Sequence, residues 1–117
     1  MEIIEEKYQV IYDPDAATIT FKGAMMLNGA KGYEPISKLL NTVAEQRKNN
    51  DLMINLQQLK FLNSSGINTL TKFVIFINDI QKLDIKLTFL GNNKIDWHVK
   101  LGKNLTRLSP NINVIFE

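Results

Sequence analysis

The stretch from Leu52 to Ile77, LMINLQQLKFLNSSGINTLTKFVIFI, changes its apolar period at Asn63-Ser64-Ser65-Gly66, and that change limits the folds open to the chain. Before it, Leu52-Met53-Ile54-Asn55-Leu56 is a nearly continuous apolar strand, the kind buried on both faces of a sheet. After it, at about 100° per residue, Ile67, Leu70, Val74 and Ile77 fall on one helical stripe, with Phe73 and Ile80 widening it. A buried strand feeding an amphipathic helix from about Ser64 to Lys82 belongs to an α/β crossover.

The flanking sequence extends the same alternation. Tyr8 to Tyr12 and Ala17 to Lys22 read as two strands of a hairpin around Asp13-Pro14-Asp15, and residues 24–29 extend or bend the second strand before Asn28-Gly29 breaks it. Pro35 suits the first turn of a helix that carries Ile36, Leu39, Leu40 and Val43. Asp84 to Leu90 is a further strand, Ile95 to Leu108 a helix with Trp97, Leu101 and Leu105, and Asn111 to Phe116 a last strand after Pro110. The order is β-β-α-β-α-β-α-β with no linker or repeat. It predicts one α/β domain over residues 1–117, a mixed sheet with an N-terminal hairpin and crossover helices.

Composition narrows the function. The net charge of +2, from 14 basic and 12 acidic residues, argues for neither nucleic acid nor an anionic membrane as partner. Without cysteine there is no thiolate nucleophile, disulfide or cysteine-held metal, and one histidine, His98, leaves no pair for zinc. With no second His or Cys nearby, His98 reads as a surface or helix-packing residue rather than a ligand or acid–base group. No glycine pattern resembles a nucleotide loop, so neither catalytic residue nor cofactor nor metal site is expected. The N-terminus MEIIEEKYQV is acidic where a secretory signal is basic, and no apolar run is long enough to span a bilayer; a cytoplasmic protein without membrane insertion is expected. Lys31, Lys38, Arg47 and Lys48 scatter over the first helix as a solvated face, and Met25 and Met26 are either core fillers or an adaptable contact surface.

The second helix carries a further face, Ser64, Asn68, Thr71, Ile75, Asn78 and Lys82, polar except for Ile75. An aliphatic residue alone on a polar stripe packs against a neighbouring helix or meets a partner. Ser64 opens that face at a helix N-terminus, where free N–H groups and the helix dipole favour a capping side chain and tolerate an anion. Asn63 or Ser64 as a plain cap, with Gly66 easing helix against strand, is one explanation of the motif. A phosphoacceptor hydroxyl, gaining a charge of about −2 on modification, is the other.

The stretch LMINLQQLKFLNSSGINTLTKF resembles the signature of STAS domains, the fold of bacterial anti-sigma factor antagonists: a buried strand, a short loop, then Asp-Ser-Ser/Thr-Gly opening a helix. The likeness extends along nearly the whole chain, which looks closest to short cyanobacterial STAS-like regulators. It implies a phosphoacceptor at Ser64 within a loop of Asn63, Ser65 and Gly66, with Asn63 where the family usually has Asp. It also implies protein partners, a histidine-kinase-like ATPase that is itself an anti-sigma factor and a resetting serine phosphatase. The polar face of the second helix, read from its spacing, places the partner surface around Ser64, Asn68, Thr71 and Ile75. Two other functions fit the same sequence: a STAS scaffold or transport-component adaptor that is never phosphorylated, and a small-ligand sensor using the loops around Gly23 and Gly91.

Overall fold

The computed structural model describes residues 1–117. Its sheet has six strands in the order of the sequence: β1 (Glu2–Ile4), β2 (Tyr8–Asp13), β3 (Thr18–Met25), β4 (Asp51–Leu62), β5 (Lys86–Gly91) and β6 (Asn113–Phe116). The first two pairings are antiparallel and the last three parallel. Between the parallel strands run α1 (Gly29–Gly32) and α2 (Glu34–Gln46), α3 (Ser64–Ile75), and α4 (Asp96–Leu108). Each crossover steps one strand further in the same direction, and right-handed crossovers then place every helix on one face.

Burial follows from that topology. Val10, Tyr12, Ile19, Phe21, Leu52, Ile54, Leu56, Leu87 and Phe89 point beneath the helices and are buried with Leu39, Leu40, Val43, Leu70, Phe73, Val74, Leu101 and Leu105. The opposite face is open. Ile11, Thr20, Asn55, Leu90 and Ile115 form one cross-strand row there, and none is buried. This corrects the two-sided burial expected for residues 52–56: Met53 and Asn55 lie on the open face, and the strand is half-covered, as its polar Asn55 and Gln57 allow.

Three further differences have local causes. β1, too short to show a period of its own, pairs with β2 in front of the expected hairpin. β3 continues through Gly23, whose φ of +94° and close approach to the Lys7 carbonyl exclude a side chain, and it ends at Met25. The long helix expected to Lys82 turns into a π-helical segment at Phe76–Ile80, with the Gln81 N–H donating to the Phe76 carbonyl at 2.9 Å. That extra residue per turn rotates whatever follows. Ile80, expected on the buried stripe, is 64% exposed, Leu83 is buried in its stead, and Lys82 falls outside the helix with φ of +50°.

Candidate functional site

β4 runs on to Leu62, seven residues past its last pairing with β5 at Asn55, and only Asn63 separates it from α3. Residues 57–66, expected as strand end, loop and helix start, are strand as far as Leu62, with Asn63 alone as the connection before α3 begins at Ser64. Its second half keeps β3 on one side, where Gly23, Ala24 and Met25 pair with Leu59, Phe61 and Leu62. Beyond the end of its pairing with β5, side chains from α4 meet two of its carbonyls. His98 Nε2 donates to the Leu59 carbonyl at 2.8 Å, and Trp97 Nε1 donates to the Lys60 carbonyl at 3.0 Å. His98 Nδ1 accepts from the Asn92 N–H at 2.9 Å, which assigns the neutral, Nε2-protonated ring. Burial pushes the His98 pKa down, against the opposing pull of the Leu59 carbonyl. Of the two roles read from sequence, helix packing is the one His98 plays: it is 2% exposed, edge-on to Trp97 with centroids 4.2 Å apart.

Asn63 joins the strand end to the helix start. Its Oδ1 accepts from the Gly66 N–H at 3.1 Å and from the Tyr33 hydroxyl at 2.6 Å, while Nδ2 donates to the Leu27 carbonyl at 2.8 Å. The Tyr33 hydroxyl in turn accepts from the Leu27 N–H at 3.4 Å. Burial raises the Tyr33 pKa, opposed by that N–H and assisted by Tyr8. The amide's use of both an acceptor and a donor is a physical reason for asparagine, because an ionised aspartate has nothing to offer the Leu27 carbonyl. Gly66 is buried against this cluster: a Cβ there would lie 2.2 Å from Leu62 Cδ1 and 2.8 Å from the Tyr33 hydroxyl.

On this cap Ser64 is the first residue of α3 and is exposed, while Ser65 is half-buried. Met26 (57% exposed) and Phe61 (46%) stand at the ends of the neighbouring strands. Of the expected contact residues, Asn68 lines a small cleft of about 120 Å³ with Ala30, Ser37, Ser65, Thr69 and Lys72. Ile75 lines a larger one of about 280 Å³, between α2 and α3, with Ser37, Asn41, Lys72, Phe76 and Ile80. Ser37 and Lys72 belong to both, so the two form one groove running from Ser65 towards Ile80. Thr71 lies outside its lining, with its hydroxyl donating to the Ile67 carbonyl at 3.0 Å. Asn78 is drawn away as well, donating to Ser109 Oγ at 2.6 Å. Tyr33, Ser37 and Lys72 were not singled out from sequence; Tyr33 meets Asn63 across 30 positions, a pairing without local signal. No cluster of His, Cys, Asp or Glu able to hold a metal is present, and no helix is long and apolar enough to cross a membrane.

A mixed sheet with helices on its crossovers and a strand running directly into a capped helix is a STAS-like fold. Two solved structures from Pseudomonas aeruginosa share it. A chain from the crystal structure of the diguanylate cyclase SiaD in complex with its activator SiaC superposes with a TM-score of 0.70 and 11% identity over 99% of this chain and 97% of that chain. The structure of SiaC gives the same TM-score and identity over 100% of this chain and 96% of the other. At such identity the likeness is one of fold. No protein-family model and no curated protein matches the chain.

Proposed function

We propose that this protein is a phosphorylation-controlled regulator that acts by binding another protein and performs no chemistry of its own. Unmodified, it docks on an ATP-binding switch kinase of the anti-sigma type; phosphate on Ser64 releases it, and a serine phosphatase restores it. The observation that carries this reading is the exposed Ser64 at the first residue of α3, beside a cap that Asn63 and Tyr33 hold in place. A structural neighbour described as the activator of a diguanylate cyclase supports a role exercised through a protein partner.

A second reading has its own support. The three side-chain hydrogen bonds of Asn63 and the crowding at Gly66 account for the Asn-Ser-Ser-Gly motif as pure architecture, which suits an adaptor that is never phosphorylated. The deciding experiment incubates the protein with ATP and a histidine-kinase-like ATPase encoded beside it, then maps phosphate by mass spectrometry in the wild type and in Ser64→Ala. Phosphate on Ser64, absent from the variant, is the expected result. Phosphate on Ser65 reassigns the acceptor, and none at all with an active kinase that binds the protein leaves the adaptor.

A further inference from the structure

The sheet ends at β6, and the way it ends points to a second interaction surface, remote from Ser64 in sequence and independent of its modification. The Glu117 N–H donates to the Gly91 carbonyl at 3.0 Å, and the Glu117 carbonyl accepts from the Asn93 N–H at 3.2 Å, so both backbone groups of this residue face β5. Neighbouring residues of a strand face alternate sides. Val114 and Phe116 therefore direct their N–H and C=O groups outward, where the strand order leaves β6 at the sheet edge without a further strand.

Above that edge α4 overhangs. Gly102 lets the helix approach, since a Cβ there would lie 2.6 Å from the Phe116 ring and 2.9 Å from Val114 Cγ1. The gap left open at the edge is a cleft of about 300 Å³ lined by Gly102, Lys103, Thr106 and Arg107 of the helix and by Val114 and Phe116 of the strand. Its floor is apolar, its rim carries two cations, and no carboxylate lines it. On the other face of the edge Ile115 is 36% exposed. Lys100 shares the ridge of Lys103 and Arg107, one turn towards the helix start.

We propose that β6 accepts an extended acidic segment of a partner protein as a seventh strand. Main-chain bonds to Val114 and Phe116 hold it, its glutamate or aspartate side chains lie in the cleft beneath Lys103 and Arg107, and its intervening aliphatic residues lie beside Ile115. Strand addition of this kind takes affinity from the backbone and selectivity from alternate side chains. Charge decides against a second copy of this chain as the occupant. A two-fold β6–β6 pairing would bring two α4 ridges together, each with Lys100, Lys103 and Arg107, and like charges facing each other oppose association.

The test titrates isotope-labelled protein with a capped peptide of alternating glutamate and valine, alongside the lysine–valine peptide of the same length. Saturable shifts at the amides of Val114 and Phe116 with the glutamate peptide alone are expected. Charge reversal at two exposed positions, Lys103→Glu with Arg107→Glu, is expected to weaken that binding by about tenfold or more and to admit the lysine peptide. Methylating the peptide nitrogens on its pairing side is expected to abolish binding, which separates strand addition from simple charge attraction. Equal binding of both peptides, shifts confined to other parts of the chain, or an unaffected N-methylated peptide would each overturn the proposal, as would dimerisation through β6 in sedimentation without peptide binding.

Discussion

The hydroxyl of Tyr33 donates to Asn63 Oδ1 at 2.6 Å, and through that one bond the segment leading into α2 fixes the cap of α3. The same Oδ1 receives the Gly66 N–H, so the asparagine carbonyl is shared between the helix it caps and a residue thirty positions earlier. Removing the hydroxyl as Tyr33→Phe leaves the ring in the core and takes away this bond together with the longer one that the hydroxyl accepts from the Leu27 N–H at 3.4 Å. Urea denaturation is expected to show a loss of about 0.5–1.5 kcal/mol, with the m-value unchanged.

Asn63→Asp tests why asparagine stands where STAS-type motifs usually carry aspartate. The acid keeps its acceptor role towards Gly66 and Tyr33 but loses the donor to the Leu27 carbonyl. A loss of about 1–3 kcal/mol at neutral pH is expected, from a part-buried carbonyl left facing a carboxylate. A variant as stable as the wild type would show that the Leu27 bond carries nothing.

Gly66→Ala places a methyl group against Leu62 and Tyr33, whose side chains are both buried. Since helix propensity alone favours alanine by about 1 kcal/mol, a net destabilisation measures the crowding. The expected net loss is about 1–3 kcal/mol by thermal or chemical denaturation.

How far the sequence discloses this arrangement depends on the range of each interaction. Apart from the short β1 and α1, strand and helix order were legible because apolar periods are local, and Asn63-Ser64 as a helix start was legible because capping residues act within a few positions. The π-helical segment was not: nothing in Phe76-Ile77-Asn78-Asp79-Ile80 distinguishes it from a continuing α-helix, so Ile80 was assigned to the core and Leu83 was missed. The length of β4 was equally hidden, because polar Gln57, Gln58 and Lys60 broke the apolar run while His98 and Trp97, some forty residues later, supplied donors to its carbonyls. The polar stripe proposed for partner binding divides in the structure, with Asn68 and Ile75 on the groove towards α2 and Thr71 and Asn78 bonded elsewhere.

His98 makes stability depend on pH. Its folded pKa lies below the ordinary value because burial disfavours the charged ring. At pH values between the folded and unfolded pKa the unfolded chain binds the extra proton, so stability rises with pH there. The contribution is complete above the unfolded value of about 6.5 and is lost as pH falls towards the folded one. Denaturation midpoints measured from pH 8 down to pH 5 are expected to fall in the wild type, and His98→Gln is expected to flatten that part of the profile while costing about 1–3 kcal/mol at pH 8 through a lost buried hydrogen bond. Parallel profiles would assign the slope to other groups.

Ile75 is half-buried in the groove between α2 and α3. If a partner inserts there, Ile75→Asp lowers its affinity by about tenfold or more, since a buried interface aliphatic is worth more than 1.4 kcal/mol. A change confined to thermal stability would make the residue a packing contact between helices. If neither quantity moves, it performs neither task.

Phosphate on Ser64 is expected to abolish partner binding without unfolding the protein. At the first residue of α3 the new charge meets free N–H groups and the positive end of the helix dipole, an interaction of about 0.3–1 kcal/mol in the free protein. Against a partner surface the same group has to be desolvated or paired, at a cost of several kcal/mol where no cation is supplied. Each 1.4 kcal/mol is a factor of ten, so the difference is ample for a switch. Stoichiometrically phosphorylated protein should therefore melt at or slightly above the temperature of the unmodified form while its partner affinity falls by about a hundredfold or more. A phosphorylated form that has lost its fold would show that release comes from unfolding, and one that binds as before would remove Ser64 from the switch. Ser64→Asp is the weaker substitute, because one carboxylate carries about half the charge and lacks the three phosphate oxygens.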